Sequence, residues 1–228
     1  MVWNKLGTVS TDIPQTSIPR IAIGIPYQVD VTMAWAFKML APIFAIPHPA
    51  FEKIPKMVRG IPLGVARDEI VKLSLADPQI THILWVDTDN ICETPADPNL
   101  AIQQLLQCNV PIVSGLYRAK QKEGFQYAAW MDAKIPDKPG FTPVMSYTGN
   151  FIQVDTIGFG FCLTSREVFE KIPPPWFPWT TVAPSEDFNF CIKAREYGYK
   201  INVFTDVKLQ HKGDLLIHPD GNVTVMDI

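Results

Sequence analysis

Short apolar runs rich in β-branched residues alternate, over the first half of the chain, with stretches of helical periodicity. The runs are Arg20–Pro26, Thr81–Val86 and Val110–Ser114, and each reads as a buried strand. Helices are predicted between them at residues 62–76 and Pro98–Cys108. Strands and helices that alternate at such short spacings are typical of βαβ units. We therefore expect an α/β fold with a mixed, mostly parallel sheet flanked by helices.

Caps, turns and prolines predict the remaining elements. Asp30 is expected to cap a helix over Met33–Leu40, and Pro42 is expected to end it. Beyond Gly115 the predicted elements are a hairpin near Phe125–Met131, a strand over Phe159–Thr164, a short helix from the Ser165 cap through Ile172, a helix over Glu186–Tyr197, two short strands, and a small C-terminal β-hairpin at Asp220-Gly221.

Composition is that of an ordinary globular protein. The 228 residues are 47% hydrophobic and 19% charged, so we expect one domain over residues 1–228 that begins with an extended N-terminal arm over 1–19. A net charge of −3 disfavours a nucleic-acid partner.

The four cysteines form no C-x-x-C pair and the first residues do not form a signal peptide, which predicts a cytoplasmic protein with reduced cysteines. No transmembrane segment is expected, because the best candidate, Met33–Phe51, is interrupted by a lysine and three prolines.

Two carboxylates follow the second apolar strand directly. Asp87 and Asp89, separated by Thr88, are two residues apart, so on an extended backbone their side chains point to one side. Both could reach one divalent cation or a cation-bound phosphate, at the strand end where α/β sheets bind ligands. A solvated turn is the alternative interpretation.

A second acidic pair, Glu186 and Asp187, lies at the start of the predicted 186–197 helix. Acidic residues are favoured there by the helix dipole, and the same position next to a pocket would suit a general base. His211 closes a late apolar strand and is the candidate third ligand for a cation held by Asp87 and Asp89, although a lone histidine is more often structural.

Three further features are candidates for substrate contacts. Arg67 lies near the start of the 62–76 helix, where it could face a diphosphate or pair with a neighbouring acid. Gly158-Phe159 precedes a strand and could allow close backbone approach to a substrate. The segment Pro173–Pro184 carries Trp176, whose ring could stack on a sugar or pack in the core.

The order of these parts resembles the GT-A class of nucleotide-sugar glycosyltransferases, a Rossmann-like fold, and is closest in style to family-2-like inverting enzymes. The resemblance spans roughly residues 20–213 and is carried by W-V-D-T-D-N (85–90), S-E-D-F-N-F (185–190) with the helix that follows, and L-Q-H-K-G (209–213).

The resemblance implies a metal-dependent transferase that moves a sugar from a nucleotide-diphosphate donor to a glycan or other hydroxyl acceptor. Asp87, Asp89 and His211 would hold Mn²⁺ or Mg²⁺ on the donor diphosphate. Asp187 would be the general base, and Glu186 would hold the acceptor. The remaining implied contacts are Pro26, Tyr27, Arg67 and Thr88 on the donor side and Gly158, Phe159 and Trp176 on the acceptor side.

Two alternatives are kept open. A nucleotidyltransferase also uses paired carboxylates and magnesium on a similar sheet, although G-I-P-Y-Q-V-D (24–30) is neither glycine-rich nor basic. A non-catalytic sugar- or nucleotide-binding module could share the same fold.

Overall fold

The computed structural model describes residues 18–28, 31–60, 62–119, 126–134, 140–181, 183–212, 215–217 and 223–225. Nearly all of the predicted N-terminal arm (1–19) lies outside these residues. The strands are β1 (Arg20–Tyr27), β2 (Glu52–Arg59), β3 (His82–Val86), β4 (Asn90–Thr94), β5 (Ile112–Leu116), β6 (Ala129–Asp132), β7 (Phe141–Pro143), β8 (Phe151–Val154), β9 (Thr156–Ile157), β10 (Phe161–Ser165), β11 (Ile201–Lys212), β12 (Leu215–Ile217) and β13 (Val223–Val225). The helices are α1 (Met33–Trp35), a π-helical segment (Ala36–Leu40) continuing into α2 (Ala41–Ala45), then α3 (Leu63–Leu75), α4 (Pro98–Gln107), α5 (Arg166–Lys171) and α6 (Glu186–Glu196).

The large sheet confirms the predicted mostly parallel α/β architecture. Its order is β13-β12-β11-β5-β10-β3-β1-β2, with β4 and β8 also paired to β11. β2, β1, β3, β5 and β11 run in one direction, and β10 is inserted antiparallel between β3 and β5. A separate antiparallel sheet has the order β7-β6-β9. The predicted C-terminal hairpin is present as the antiparallel pair β12 and β13.

Helices cover both faces of the sheet, and strand alternation divides the core accordingly. On β1, Ile21, Ile23 and Ile25 face the layer formed by α1, the π-helical segment, α2 and α4. Ala22 faces the opposite layer, which α3, α5 and α6 build. Gly24 allows α3 to approach β1 closely, because a Cβ there would lie 2.9 Å from the Ile70 side chain.

Several sequence predictions are corrected in detail. Thr32 caps α1, since its hydroxyl accepts from the Trp35 amide, and the predicted cap Asp30 lies outside the described residues. Pro42 does not end the helix, because it lies in the first turn of α2, where a missing N–H is tolerated. The expected two strands after α6 are one long strand, β11, with a register shift between Phe204 and Lys208.

Five strands were not predicted, namely β2, β4, β7, β8 and β9. β2 is the outermost strand of the large sheet, beside β1, and it contains Pro55. Because many of its residues are exposed, its sequence lacks the alternation of apolar and polar residues that marks a buried strand. β4 is short, and its partner among the described strands is β11. The four cysteines are free, as expected. Within the described part of the chain, no helix has both the length and the apolarity needed to cross a bilayer.

Candidate functional site

A polar cleft of about 230 Å³ lies where β1 and β3 end. Parallel strands bring their carboxyl ends to the same edge of a sheet, so the residues that follow each strand meet there. The lining is contributed by the end of β1, the start of α3 and the turn after β3: Pro26, Tyr27, Gln28, Leu63, Asp87, Thr88 and Asp89. Three of the predicted donor contacts (Pro26, Tyr27 and Thr88) therefore share one cleft with two of the predicted metal ligands, Asp87 and Asp89, whereas Gln28 and Leu63 were not predicted.

Arg67 joins the two predicted acidic motifs. Its Nη2 lies 2.9 and 3.1 Å from the two carboxylate oxygens of Asp87, and its Nε donates to Glu186 Oε1 at 3.2 Å. The side chain is 1% exposed, and that of Glu186 is 6% exposed. Glu186, which the resemblance placed on the acceptor, is therefore engaged in a buried ion pair, and its carboxylate is not at the surface.

Aromatic rings surround the Arg67 guanidinium on its buried side. Its central carbon lies 5.6 Å from the ring of Trp85 and 5.8 Å from those of Phe159 and Phe177. Burial by itself disfavours the charge, but the attraction of Asp87, Glu186 and Asp187 outweighs it and raises the Arg67 pKa, so this residue is a permanent cation. Phe159, predicted on the acceptor side, is instead part of the core beneath the site and is 1% exposed.

Asp87 is a strongly perturbed carboxyl group of the cleft. Burial and the charges of Asp89, Asp187 and Glu186 raise its pKa to about 7, against the opposing effect of Arg67. The Arg67 guanidinium thus interacts with three carboxylates, Asp87, Glu186 and Asp187, and Asp89 adds a fourth negative charge beside Asp87. This excess of negative charge is the electrostatic condition under which a divalent cation binds well.

Asp187 lies at the amino end of α6, as the sequence predicted. Its Oδ1 accepts from the Phe188 amide at 2.9 Å and from the Ser185 hydroxyl. Ser185 is the N-cap residue, but its hydroxyl turns to Asp187 and not to a backbone amide. Burial and the adjacent Glu186 raise the pKa of Asp187, while Ser185 and Arg67 oppose the shift.

Asp89 and His211 come together through the pairing of β4 with β11. His211 Nε2 lies 3.4 Å from Asp89 Oδ2. His211 Nδ1 lies 2.7 Å from the Arg118 carbonyl oxygen, so this nitrogen carries the proton and donates. The other ring nitrogen, Nε2, is the one that faces the Asp89 carboxylate.

The three predicted metal ligands do not form a ready-made set. Among the described residues, no three His, Cys, Asp or Glu side chains have the arrangement of a metal site. The reason is the position of Asp87, whose carboxylate is directed to Arg67 while Asp89 and His211 face each other.

Gly158 and Gly160, which follow β9, permit a contact with Tyr117 that the sequence did not predict. The amide of Gly160 donates to the Tyr117 hydroxyl at 2.9 Å, and a Cβ at Gly158 would lie 2.2 Å from that same oxygen. Tyr117 in turn packs edge-on against the His211 ring, with centroids 5.3 Å apart. The two glycines thus make room for a tyrosine that supports His211. The spacing of these glycines was a usable signal, but nothing in the sequence indicated which side chain filled the space.

The predicted acceptor-side residue Trp176 is in the core. It is 5% exposed, and its indole N–H donates to the carbonyl oxygens of Phe169 and Ile172. Trp179 of the same proline-rich segment is 56% exposed. Trp176 is therefore inaccessible to a ligand, because its ring is buried and its N–H is already hydrogen-bonded. Trp179 is the tryptophan of this segment that a ligand could contact.

No protein-family model matches this sequence, and no curated protein does. Similar solved structures exist. The crystal structure of A197 from STIV has a TM-score of 0.63 at 18% identity, covering 92% of this chain and 95% of that one. The crystal structure of GalNAc-T7 with UDP, GalNAc and Mn²⁺ has a TM-score of 0.52 at 10% identity, covering 86% of this chain and 44% of that one.

Likeness at these identities shows the fold alone. The chain has a GT-A-like α/β fold, as the sequence predicted. The closer resemblance to family-2-like enzymes stays a prediction.

Proposed function

We propose that this protein is a metal-dependent glycosyltransferase that moves a sugar from a nucleotide-diphosphate donor to a hydroxyl acceptor and inverts the anomeric carbon. The observation that carries the proposal is the ion-pair network of Arg67, which holds the carboxylate after β3 and the acidic start of α6 on one side chain. Because Arg67 holds these two segments together, the candidate metal ligands after β3 and the candidate base at the start of α6 would act on the same substrate.

The donor set at Asp89 and His211 fits a divalent cation. His211 Nε2 and Asp89 Oδ2 lie 3.4 Å apart and could both coordinate a cation, and the buried Asn90 Oδ1, which has no hydrogen-bond partner within the described residues, could bind one of its water ligands. Carboxylate ligands suit Mg²⁺ and Mn²⁺, and oxygens of the donor diphosphate would complete the coordination. Bound there, the ion would neutralise the charge that develops on the leaving diphosphate.

Asp187 is the proposed general base. Its raised pKa moves the carboxyl group closer to the range in which proton transfer near neutral pH is efficient. The contacts from Ser185 and Phe188 fix its orientation, so that one carboxylate oxygen is held and the other can accept the proton of an acceptor hydroxyl. Glu186 positions Arg67, and through it Asp87.

Binding of nucleoside diphosphates tests the donor and metal parts of the proposal. Thermal unfolding would be followed with UDP, GDP, ADP or CDP, in Mn²⁺ and in EDTA. A nucleotide present at 100 times its Kd stabilises by about 2.7 kcal/mol. We expect this stabilisation for at least one nucleotide in Mn²⁺, its loss in EDTA and in Asp89→Asn, and its retention in Asp206→Asn, a control at an exposed carboxylate on β11. Equal binding with and without metal would contradict the proposal.

The products of turnover separate it from the alternatives. A glycosyltransferase releases a nucleoside diphosphate from a nucleotide sugar. Release of pyrophosphate from a nucleoside triphosphate and a sugar phosphate would identify a nucleotidyltransferase instead, and binding without either product would identify a non-catalytic module.

A further inference from the structure

An exposed apolar face is formed by the helical stretch from α1 to α2 together with the edge strand β2. Met33 is 69% exposed, Phe37 67% and Met57 45%. These side chains belong to one groove of about 670 Å³, whose lining is almost wholly apolar and includes Met33, Phe37, Leu40, Phe44, Pro55 and Met57. Scattered exposed apolar residues are ordinary, but a contiguous patch of this kind marks an interaction surface. We call it the apolar helix face.

Basic residues flank the apolar helix face. Alternate residues of a strand point to the same side, so Lys53 and Arg59 bracket Pro55 and Met57 on β2. Lys38 is exposed on the same helical stretch, where it lines the neighbouring cleft beside Glu93. Residues 31–60 contain four basic side chains and a single acidic one, Glu52, which pairs with Arg20 at 2.8 Å. By formal charge, four basic minus one acidic side chain give residues 31–60 a charge of +3, on a chain whose net charge is −3.

We propose that the apolar helix face docks this protein on the surface of an anionic lipid bilayer. An amphipathic helix that presents Phe, Met and Leu beside lysine inserts its apolar side chains at the headgroup boundary. Basic residues at the rim add electrostatic attraction to anionic lipids. The basic residues at the rim would contact the anionic headgroups, and the long apolar side chains at the centre would contact the acyl chains.

A second copy of the chain fits the same face less well. A two-fold interface would set the same basic rim of both protomers together, and like charges in contact oppose association. Pairing through the edge of β2 is also opposed, because Pro55 lacks an N–H and lysines lie on both sides of it.

The apolar helix face is connected to the candidate site through α1. Trp35, on the buried side of α1, donates its indole N–H to the backbone carbonyls of Asp87 and Asn90 at 3.1 and 3.0 Å. Arg59, at the rim, donates from Nε to the carbonyl oxygen of Gln28 at 3.2 Å. Docking would hold the cleft beside the bilayer. The docking proposal does not depend on the activity proposed above.

Vesicle co-sedimentation of the full chain tests the proposal. The vesicles would be phosphatidylcholine alone, or an equimolar mixture of phosphatidylcholine and phosphatidylglycerol. We expect binding to the anionic vesicles, little binding to phosphatidylcholine alone, and weaker binding at higher salt. Phe37→Ser should lower the partition coefficient by about tenfold, because it removes an apolar side chain that would be buried in the lipid. Lys38→Glu should weaken binding to anionic vesicles by several fold.

Matched controls use residues away from the face. Met145→Ser, at a side chain that is 60% exposed, and Lys72→Glu, at an exposed lysine of α3, should bind as the wild type does. The proposal is overturned if neither vesicle binds the wild type, if both bind it equally, or if Met145→Ser is as weak as Phe37→Ser. Sedimentation velocity adds a further arm: a dimer that Phe37→Ser dissociates would assign the face to a second copy and overturn docking on lipid.

Discussion

At the scale of single residues, Asp187 is the side chain on which the proposed chemistry depends. Asp187→Asn keeps the shape and the contacts from Ser185 and Phe188 but cannot accept a proton. We expect turnover to fall by roughly 10²–10⁴, with nucleotide affinity close to wild type. Steady-state kinetics with the preferred donor and NMR of the first-formed product measure rate and anomeric configuration. Near-normal turnover in this variant, or a product that retains the donor configuration, would exclude Asp187 as the base of an inverting reaction.

Arg67 is the residue on which the geometry of the site depends. Arg67→Met leaves Asp87 and Glu186 without their counter-ion, and removal of one partner of a buried pair costs about 3–5 kcal/mol. Arg67→Lys should restore only part of this, because a lysine cannot make the forked contact. Urea unfolding measures both. Lys72→Met, which removes an exposed pair with Glu69 on the same helix, should cost less than about 0.5 kcal/mol. Similar losses in Arg67→Met and Lys72→Met would contradict this.

At the scale of elements, the proline-rich segment before α6 has an inner and an outer side. The amides of Trp176 and Phe177 donate to Asp68 Oδ1 at 2.9 Å each, which ties the segment to α3. Gly64 lies at the same junction, where a Cβ would approach the Phe177 carbonyl oxygen to 2.4 Å. The inner side therefore packs as core and leaves Trp179 outside.

The two tryptophans should accordingly differ in what they affect. Trp176→Ala should lower the free energy of unfolding by about 3–5 kcal/mol, as expected for a large buried ring. Trp179→Ala should change it by less than about 0.5 kcal/mol. Denaturant unfolding makes the comparison, and each variant serves as the control of the other. A stable Trp176→Ala would show that this ring does not belong to the core.

At the scale of the whole molecule, the excess of carboxylates in the cleft makes stability depend on pH. Asp87 titrates at about 7 when folded and near its ordinary 3.8 when unfolded, so between these values the folded state binds more protons. The free energy of unfolding should therefore decrease, through this group, as the pH rises from about 4 to about 7. The raised pKa of Asp187 acts in the same direction.

Thermal unfolding across this range in EDTA measures the slope. Asp87→Asn should remove most of it, and Mn²⁺ should offset the loss near pH 7, because a cation replaces the protons. A difference between wild type and Asp87→Asn that does not change with pH would contradict the assignment to Asp87.

The sequence alone determined the α/β class, the main strands and the positions of the two acidic motifs. Local periodicity identifies β1, β3, α3 and α4, because each buries a regular apolar pattern. The turn after β3 and the start of α6 were recognisable because acidic residues at a strand end and at a helix start each have a local physical reason. β2 and β4 were missed since an edge strand and a short cross-paired strand carry little periodicity of their own.

Only the tertiary structure decided which of these residues contact each other. Nothing local to Arg67 distinguishes Asp68 and Glu69, its chain neighbours, from Asp87 and Glu186, to which it is bound. Likewise Trp176 and Trp179 have the same local signal, and only the carbonyls of α5 and its end make one of them core. Ion pairs and burial join positions far apart in the chain, so their free energy depends on the packing of the sheet and helices, which a short stretch of sequence does not contain.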